Sequence, residues 1–269
     1  MNTRPTRSKH RLFPHCMDPV LSAVTHLRQN AGTRGLRFLN EKGRFVDDVL
    51  ASTPLFSALD PQGAAALRSS LQEFRVVKGQ ELFHEDEPGD HLYLILEGKV
   101  KLGHGSPDGR ESLMAVLGPG EMFGELSLFD PGLRTSTATA LTDAIVLGLG
   151  NEQLMPLLEG RPEVAAALLQ ALARRLRRTN EAMADLVFSD VPGRVAKALM
   201  ELGEKFGTLT PEGLLVTHDM TQEELAQLVG ASRETVNKAL AEFGHRGWIK
   251  LESRQVLIID VERLGKRAR

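Results

Sequence analysis

Residues 161–193 read RPEVAAALLQALARRLRRTNEAMADLVFSDVPG, and this stretch organises the chain. Residues at alternating steps of four and three form a heptad seam: Ala165, Leu169, Leu172, Leu176, Thr179, Met183 and Leu186. Such a seam lets two helices pack against each other. Pro162 is suited to the first helical turn, and Ser189 to Gly193 carry the cap and breaker that end the helix. The polar Thr179, followed by Asn180, either sets the register of a coiled coil or meets a polar ligand at the seam.

Composition is that of a globular protein, with 42% hydrophobic and 25% charged residues and a net charge of −2. No apolar run reaches the roughly 18 residues that span a bilayer, so we expect no membrane segment. The only cysteine, Cys16, excludes an intramolecular disulfide and a four-cysteine iron–sulfur or metal site. These features predict a reducing, cytoplasmic setting.

Residues 1–45 differ from the rest of the chain. They carry nine Lys or Arg and two acids, a net charge of +7, which leaves −9 on the remainder. Because they show little hydrophobic periodicity, we expect either a disordered extension or a mis-assigned start. The acidic remainder does not favour bulk binding to nucleic acid, so any DNA contact must come from a local patch.

The region from Glu73 to Leu149 has the pattern of an all-β unit. Short apolar runs such as Leu92 to Leu96 and Ala144 to Leu147 alternate with glycines at close intervals. Strands separated by turns every eight to twelve residues are typical of a sandwich or barrel. A helical pattern precedes this region, from Val46 to about Arg68.

Inside the β region, residues 123–138 read FGELSLFDPGLRTSTA. Gly124 allows close backbone approach, and the following residues can form a short helix whose amides face an anion. Arg134 offers a forked cation and Thr135 a hydroxyl for phosphate oxygens, while Glu125 suits a ribose hydroxyl. The alternative is a surface turn with a solvated arginine.

This motif resembles the phosphate-binding cassette of cyclic-nucleotide-binding domains. FHEDEPGD at 83–90 and LEGKV at 96–100 look like turns of that β-roll, and ARRL at 173–176 with Thr179 looks like the dimerisation helix that follows it. From about Val46 to Arg269 the chain is similar to the cyclic-AMP receptor protein family of the CRP/FNR superfamily, most of all to its actinobacterial members.

The resemblance implies cyclic AMP as the allosteric ligand. It assigns the nucleotide to eight residues: Gly124, Glu125, Leu126, Ser127, Arg134, Thr135, Thr179 and Asn180. Thr179 and Asn180 would meet the adenine across a dimer seam, one from each protomer. Enterobacterial members have Ser in place of Thr135 and Asn180, so the hydroxyl is kept at the first position but not at the second. We expect cyclic AMP to be preferred over cyclic GMP, and no metal, iron–sulfur cluster or haem.

The C-terminal residues predict a helix-turn-helix. TQEELAQLVGASRETVNKAL at 221–240 holds a capping box, a glycine turn and a second cap at Ser232. Residues 248–259 predict the hairpin of a wing. The apolar spacing of the second helix leaves its first turns free to meet base edges, where Arg233 can fork onto guanine and Glu234 can accept from cytosine. The same segment resembles the DNA-reading segment of the family.

The predicted DNA-binding residues are Thr221, Ser232, Arg233, Glu234, Asn237, Lys238 and Lys250. Lys238 replaces the arginine that is usual in enterobacterial members, which weakens bidentate reading there. The four arginines at 174, 175, 177 and 178 are expected to solvate the long helix rather than touch DNA.

The expected fold is α+β: residues 46–160 form a jelly-roll-like cyclic-nucleotide-binding β-roll, 161–189 the dimerisation helix and hinge, and 190–269 a winged helix-turn-helix domain. The expected function is a homodimeric transcription factor that responds to cyclic AMP and binds palindromic double-stranded DNA, with RNA polymerase as a further partner. A ligand-independent regulator of the same fold remains open. An enzyme acting on cyclic nucleotides is disfavoured, because the histidines lack a metal-binding spacing.

Overall fold

The computed structural model describes residues 49–51, 53–57, 59–106, 111–130 and 132–268. Its helices are α1 (Pro54–Ser57), α2 (Pro61–Ser69), α3 (Leu126–Phe129), α4 (Asn151–Gly160), α5 (Pro162–Phe188), α6 (Val191–Phe206), α7 (Gln222–Val229), α8 (Arg233–His245) and α9 (Val261–Arg267). Its strands are β1 (Gln72–Val76), β2 (Glu81–Phe83), β3 (His91–Glu97), β4 (Val100–Gly105), β5 (Glu111–Leu117), β6 (Met122–Phe123), β7 (Thr137–Ala140), β8 (Ala144–Gly150), β9 (Gly207–Thr210), β10 (Gly213–Thr217), β11 (Ile249–Glu252) and β12 (Gln255–Ile258).

Strands β1 to β8 form the β-roll, which consists of two antiparallel four-stranded sheets. Their strand orders are β1-β8-β3-β6 and β2-β7-β4-β5. Strand β3 is buried on both faces: Leu92, Leu94 and Leu96 join a core with helices α4 and α5, whereas Ile95 packs with Phe123 on the other side. The period of two that a strand imposes explains why one continuous apolar run serves both faces.

The first turns of helix α5 anchor it in the core of the β-roll. Val164 and Leu168 are buried in the core of the β-roll, and Pro162 starts the helix. The seam residues Leu169, Leu176 and Met183 are 66%, 62% and 63% exposed. A row of exposed large apolar side chains is typical of a surface that packs against an apolar surface of another molecule.

Helices α6 to α9 and the sheet β11-β12-β10-β9 form the C-terminal unit, here called the reading head. The Asp190 carboxylate accepts a hydrogen bond from the Gly193 amide (2.9 Å) and caps α6. Gly230, in the left-handed conformation at φ 68°, ends α7 and makes the sharp turn to α8. Helices α7 and α8 are the predicted helix-turn-helix, and β11 with β12 is the predicted wing.

The α+β fold class is therefore confirmed: a β-roll, a long helix and a winged helix-turn-helix follow one another along the chain. Helices α4 and α9 and strand β9 were not predicted. Asn151–Gly160 lacks a clear cap, Gly207 was assigned only the end of α6, and the cap at Asp260 that begins α9 was not recognised. The interpretation of residues 1–45 as an extension or mis-assigned start lies outside the described residues.

Candidate functional site

The segment between β6 and β7 builds a small cavity at the surface of the β-roll. Gly124 has φ of 79°, and a Cβ there would lie 2.8 Å from Arg134 Nη1 and 3.0 Å from the His91 carbonyl oxygen. Only glycine allows this approach without strain. The turn delivers Glu125 to the start of helix α3, beside the guanidinium of Arg134.

Arg134 is the buried cation of the site, with 3% of its surface exposed. Its Nη1 donates to the Gly124 carbonyl (2.7 Å) and more weakly to Ser127 Oγ (3.4 Å), and its Nη2 donates to the His91 carbonyl (3.0 Å). Its Nε is buried and has no hydrogen-bond partner. A buried donor without a hydrogen-bond partner costs free energy of folding. We therefore expect a ligand to supply an acceptor for Nε.

Aromatic rings form the floor under this cation. The Arg134 Cζ lies 4.2 Å from the centroid of the Phe83 ring and 5.8 Å from that of Tyr93, and these two rings stack on each other. Burial lowers the pKa of Arg134, while Tyr93, Asp90 and Glu125 act in the opposite direction. The cation–π contact offsets part of the cost of holding the charge away from water.

Glu125 is 5% exposed and is shared between the cavity and the long helix. Its Oε1 accepts a hydrogen bond from Arg175 Nη1 of α5 at 2.6 Å, whereas its Oε2 is buried without a partner. The carboxylate thus has one oxygen held by a cation and one acceptor free for a hydroxyl. This is the arrangement that a ribose hydroxyl would complete.

The structure brings together six of the eight predicted nucleotide residues, but not the two on the long helix. The cavity is lined by Gly124, Glu125, Leu126, Ser127, Arg134 and Thr135, together with Phe83, Leu102, Ser136 and Arg175. Thr179 and Asn180 are exposed on α5, and the Thr179 hydroxyl donates to the Arg175 carbonyl (3.1 Å). Their predicted contact across a dimer seam stays a prediction.

Three residues of the site were missed by the sequence reasoning. Arg175 was expected to solvate the helix, and this was wrong, because it forms an ion pair with Glu125. Phe83 was assigned only to a turn of the β-roll. Gly89 gave a turn signal, yet a Cβ there would lie 2.3 Å from Ser127 Oγ and 2.7 Å from Arg134 Nε, so its small size shapes the site.

The second candidate site is the outer face of the helix-turn-helix. Thr221 caps α7 in a full capping box with Glu224, and Ser232 caps α8 by accepting from the Thr235 amide (3.2 Å). Arg233 is exposed at the first turn of α8. Glu234 and Lys238 are 78% and 74% exposed and pair with each other at 2.7 Å, so both are accessible to another molecule.

The remaining two predicted DNA contacts are Asn237 and Lys250, and only Asn237 differs from this pattern. Asn237 is half-buried, and its Oδ1 is buried without a partner, so it is less accessible than its position on the outer face predicted. Lys250 lies on β11 and is exposed, and its Nζ lies 3.2 Å from Oε1 of Glu252. The geometry of the reading head therefore leaves Arg233, Glu234 and Lys238 as exposed charged side chains on the first turns of α8.

Comparison with known proteins assigns both sites to one family. Residues 73–161 match the cyclic nucleotide-binding domain family, and residues 193–267 match the Crp-like helix-turn-helix domain family. A "CRP-like cAMP-activated global transcriptional regulator" of Mycobacterium tuberculosis is 55% identical over 224 residues, which cover 83% of this chain and 100% of that relative. The chain belongs to the cyclic-AMP receptor protein family. The predicted resemblance, including its actinobacterial character, is confirmed.

More distant members agree with this assignment. A "Cyclic AMP receptor protein" of Thermus thermophilus is 36% identical over 202 residues, or 75% of this chain and 90% of that relative. Among solved structures, FixK2 from Bradyrhizobium japonicum has a TM-score of 0.68 at 25% identity and covers 74% of this chain and 98% of its own. The similarity thus spans the β-roll, the long helix and the reading head together.

Two features are absent from the part of the chain that the structure describes. No helix there is both long enough and apolar enough to cross a membrane. No group of three or more His, Cys, Asp or Glu side chains there could hold a metal ion.

Proposed function

We propose that this protein is a homodimeric transcription regulator whose affinity for DNA is controlled by cyclic AMP. The observation that carries the proposal is that Arg134 and Glu125 both line one small cavity at the start of α3 and that each has a buried atom without a hydrogen-bond partner, Nε and Oε2 respectively. An unpartnered donor and an unpartnered acceptor on two residues of the same cavity suit a molecule that carries an anionic phosphate next to a sugar hydroxyl. A cyclic nucleotide has both groups.

The cyclic phosphate would be held by Arg134 and by the Thr135 hydroxyl, with the α3 amides and Ser127 in support. The ribose would donate to Glu125. The adenine would extend towards the long helix, where Thr179 and Asn180 can accept and donate hydrogen bonds. The names of the two receptor relatives, which both refer to cyclic AMP, favour this nucleotide over cyclic GMP.

The exposed seam of α5 supports a dimer through that helix. Two copies would bury Leu169, Leu176 and Met183 against each other and place one reading head on each side of a two-fold axis. Two heads on such an axis suit a palindromic site whose half-sites lie about 34 Å apart. A coupling of about 1–3 kcal/mol between nucleotide and DNA would be ordinary for such a switch.

Arg233, Glu234 and Lys238 would read base edges, with Thr221, Ser232 and Lys250 at phosphates. A DNA-binding role favours a cytoplasmic protein that acts together with RNA polymerase, and it requires no catalytic activity. One observation favours the ligand-independent alternative. Arg175 already donates a hydrogen bond to Glu125 Oε1, so this oxygen has a partner without any ligand.

Calorimetric titration of the purified protein with cyclic AMP and cyclic GMP tests the proposal. We expect saturable binding that is tighter for cyclic AMP, and a DNA affinity that rises with nucleotide. Arg134→Lys should weaken the binding of both nucleotides. An ammonium group keeps the positive charge but lacks the planar, forked arrangement of donors that a guanidinium has. Binding that is unchanged in this variant would contradict the site, and DNA affinity that ignores nucleotide would favour the ligand-independent alternative.

A further inference from the structure

Ion pairs that no sequence motif predicts hold the reading head against the β-roll. Three lysine–acid pairs join the two units, and their members are far apart in the chain: Lys99 with Asp219, Lys101 with Glu224, and Lys205 with Glu121. The last two pairs have N–O distances of 2.8 and 2.9 Å. We call these six residues the interdomain clamp.

The clamp differs from the ordinary surface ion pairs of this protein by its burial. The side chains of Lys101 and Glu224 are 24% and 17% exposed, whereas those of Lys266 and Glu262 on α9 are 69% and 74% exposed. An exposed pair contributes little because water screens it, but a partly buried one interacts more strongly. The clamp pairs therefore restrict the position of the head.

Apolar packing accompanies the charges. The Phe206 ring at the end of α6 lies so close to the β-roll that a Cβ at Gly118 would be 2.5 Å from its Cε1 atom. The Lys99 ammonium lies over the same ring, 4.6 Å from its centroid. Contact at this junction thus depends on shape as well as charge.

The clamp begins next to the nucleotide cavity. Glu121 directly precedes β6, and β6 leads into Gly124 and Glu125. The Glu121 carboxylate accepts from the Gly118 amide (2.9 Å) and from Lys205 of the head (2.9 Å), and it lies 3.9 Å from Arg178 of the long helix. Four residues later, Glu125 pairs with Arg175 of that helix. One short segment therefore contacts the cavity, the long helix and the head.

The clamp leaves the reading face uncovered. Glu234 and Lys238 keep about three-quarters of their side-chain surface exposed in the clamped head, and Arg233 is exposed beside them. A contact that fixes a head without covering its reading face orients that head rather than blocks it.

We propose that the interdomain clamp fixes each reading head on the β-roll of its own protomer in the orientation that binds DNA. The clamp then forms a second connection between the nucleotide cavity and the head, beside the long helix. This inference rests on the proposed function. It predicts that loosening the clamp lowers the affinity for DNA while the affinity for the nucleotide stays the same.

Two charge variants with opposite effects on net charge test the clamp. Glu224→Gln removes the acid but keeps the capping box, since Gln serves there as well as Glu. Lys101→Met removes the partner ammonium but keeps an apolar stem of similar length. Each change should weaken binding of the cyclic-AMP-saturated protein to its DNA site by about tenfold, within the usual range of coupling energies. The double variant should be no weaker than either single one, because both remove the same pair.

The control is Lys266→Met, which breaks an exposed pair on the same head and should leave DNA affinity unchanged. A variant without any charge change is Gly118→Ala, whose methyl group would displace Phe206. It should weaken DNA binding as the charge variants do. Fluorescence anisotropy gives the DNA affinity, calorimetry the nucleotide affinity, and thermal unfolding shows that each variant is folded.

Three results would overturn the inference: unchanged DNA affinity in both charge variants, DNA binding without nucleotide that is stronger than in the wild type, or opposite effects of Glu224→Gln and Lys101→Met. The second would mean that the clamp inhibits, and the third that only bulk charge matters. These failures differ from failure of the proposed function, in which the wild-type protein itself would show no cyclic-AMP-dependent DNA binding.

Discussion

Truncation of one seam side chain, Leu176→Ala, should weaken dimerisation strongly. Leu176 is 62% exposed in the single chain and lies in the middle of the α5 seam. Complete burial of a leucine side chain stabilises by about 1.5–3 kcal/mol, so burying the exposed part in a dimer gives about 1–2 kcal/mol per protomer. Because a two-fold interface contains the residue twice, the substitution should remove about 2–4 kcal/mol, or raise the dimer dissociation constant about 30- to 700-fold.

Sedimentation equilibrium over a dilution series measures this constant directly. Leu209→Ala is a matched control, because Leu209 is 44% exposed on β9, outside the long helix. We expect it to leave the dimer unchanged. At concentrations where both proteins are monomeric, the midpoint temperature of thermal unfolding should differ little between Leu176→Ala and the wild type. The Leu176 side chain adds little to the core of a single chain. A dimer constant within threefold of the wild type would refute the assignment of the seam as the dimer interface.

Three other predictions concern the nucleotide, the DNA and the pH. Thr179→Ala should weaken the nucleotide response more than dimerisation, measured by calorimetry and sedimentation, and a change in oligomeric state alone would show that Thr179 only sets the register. Arg233→Ala should cost about 1–3 kcal/mol of discrimination between specific and mutated sites in a binding assay, with much less effect on non-specific DNA. Burial lowers the pKa of His218, whose Nδ1 accepts from the Met220 amide (3.1 Å). The unfolded chain therefore binds more protons, and stability should fall as the pH drops below about 6.5, the unfolded value. His218→Gln should flatten this dependence in denaturant melts, and an unchanged slope would contradict it.

The fold could be predicted because its signals are local. The heptad seam of α5, the glycine-punctuated strands and the capping box at Thr221 each depend on residues within a few positions of one another. The cassette was found for the same reason, since Gly124, Glu125 and Arg134 lie within eleven consecutive positions. Every predicted nucleotide residue of this segment lines the cavity.

What the sequence left open depends on contacts between distant segments. Four arginines of α5 lie within five positions, but only the orientation of the helix on the β-roll decides that Arg175 meets Glu125. Lys101 and Glu224 are separated by 123 positions, so no spacing rule could pair them. Phe83 was assigned only to a turn, and its contact with Arg134 depends on the pairing of β2 with β7, which joins segments about 50 positions apart.

The position of Arg175 would connect a bound nucleotide to the proposed dimer. Its side chain holds Glu125, and its carbonyl accepts the hydroxyl of Thr179, one turn further along α5 and on the predicted seam. A ribose hydroxyl that binds Glu125 must share this carboxylate with Arg175. A change in the geometry of the Arg175–Glu125 pair would therefore move the part of α5 that carries Leu176. With this arrangement, a bound nucleotide would not have to contact the partner chain to change the proposed dimer. Linkage then requires the reverse effect, so that dimerisation changes the affinity for the nucleotide by the same factor.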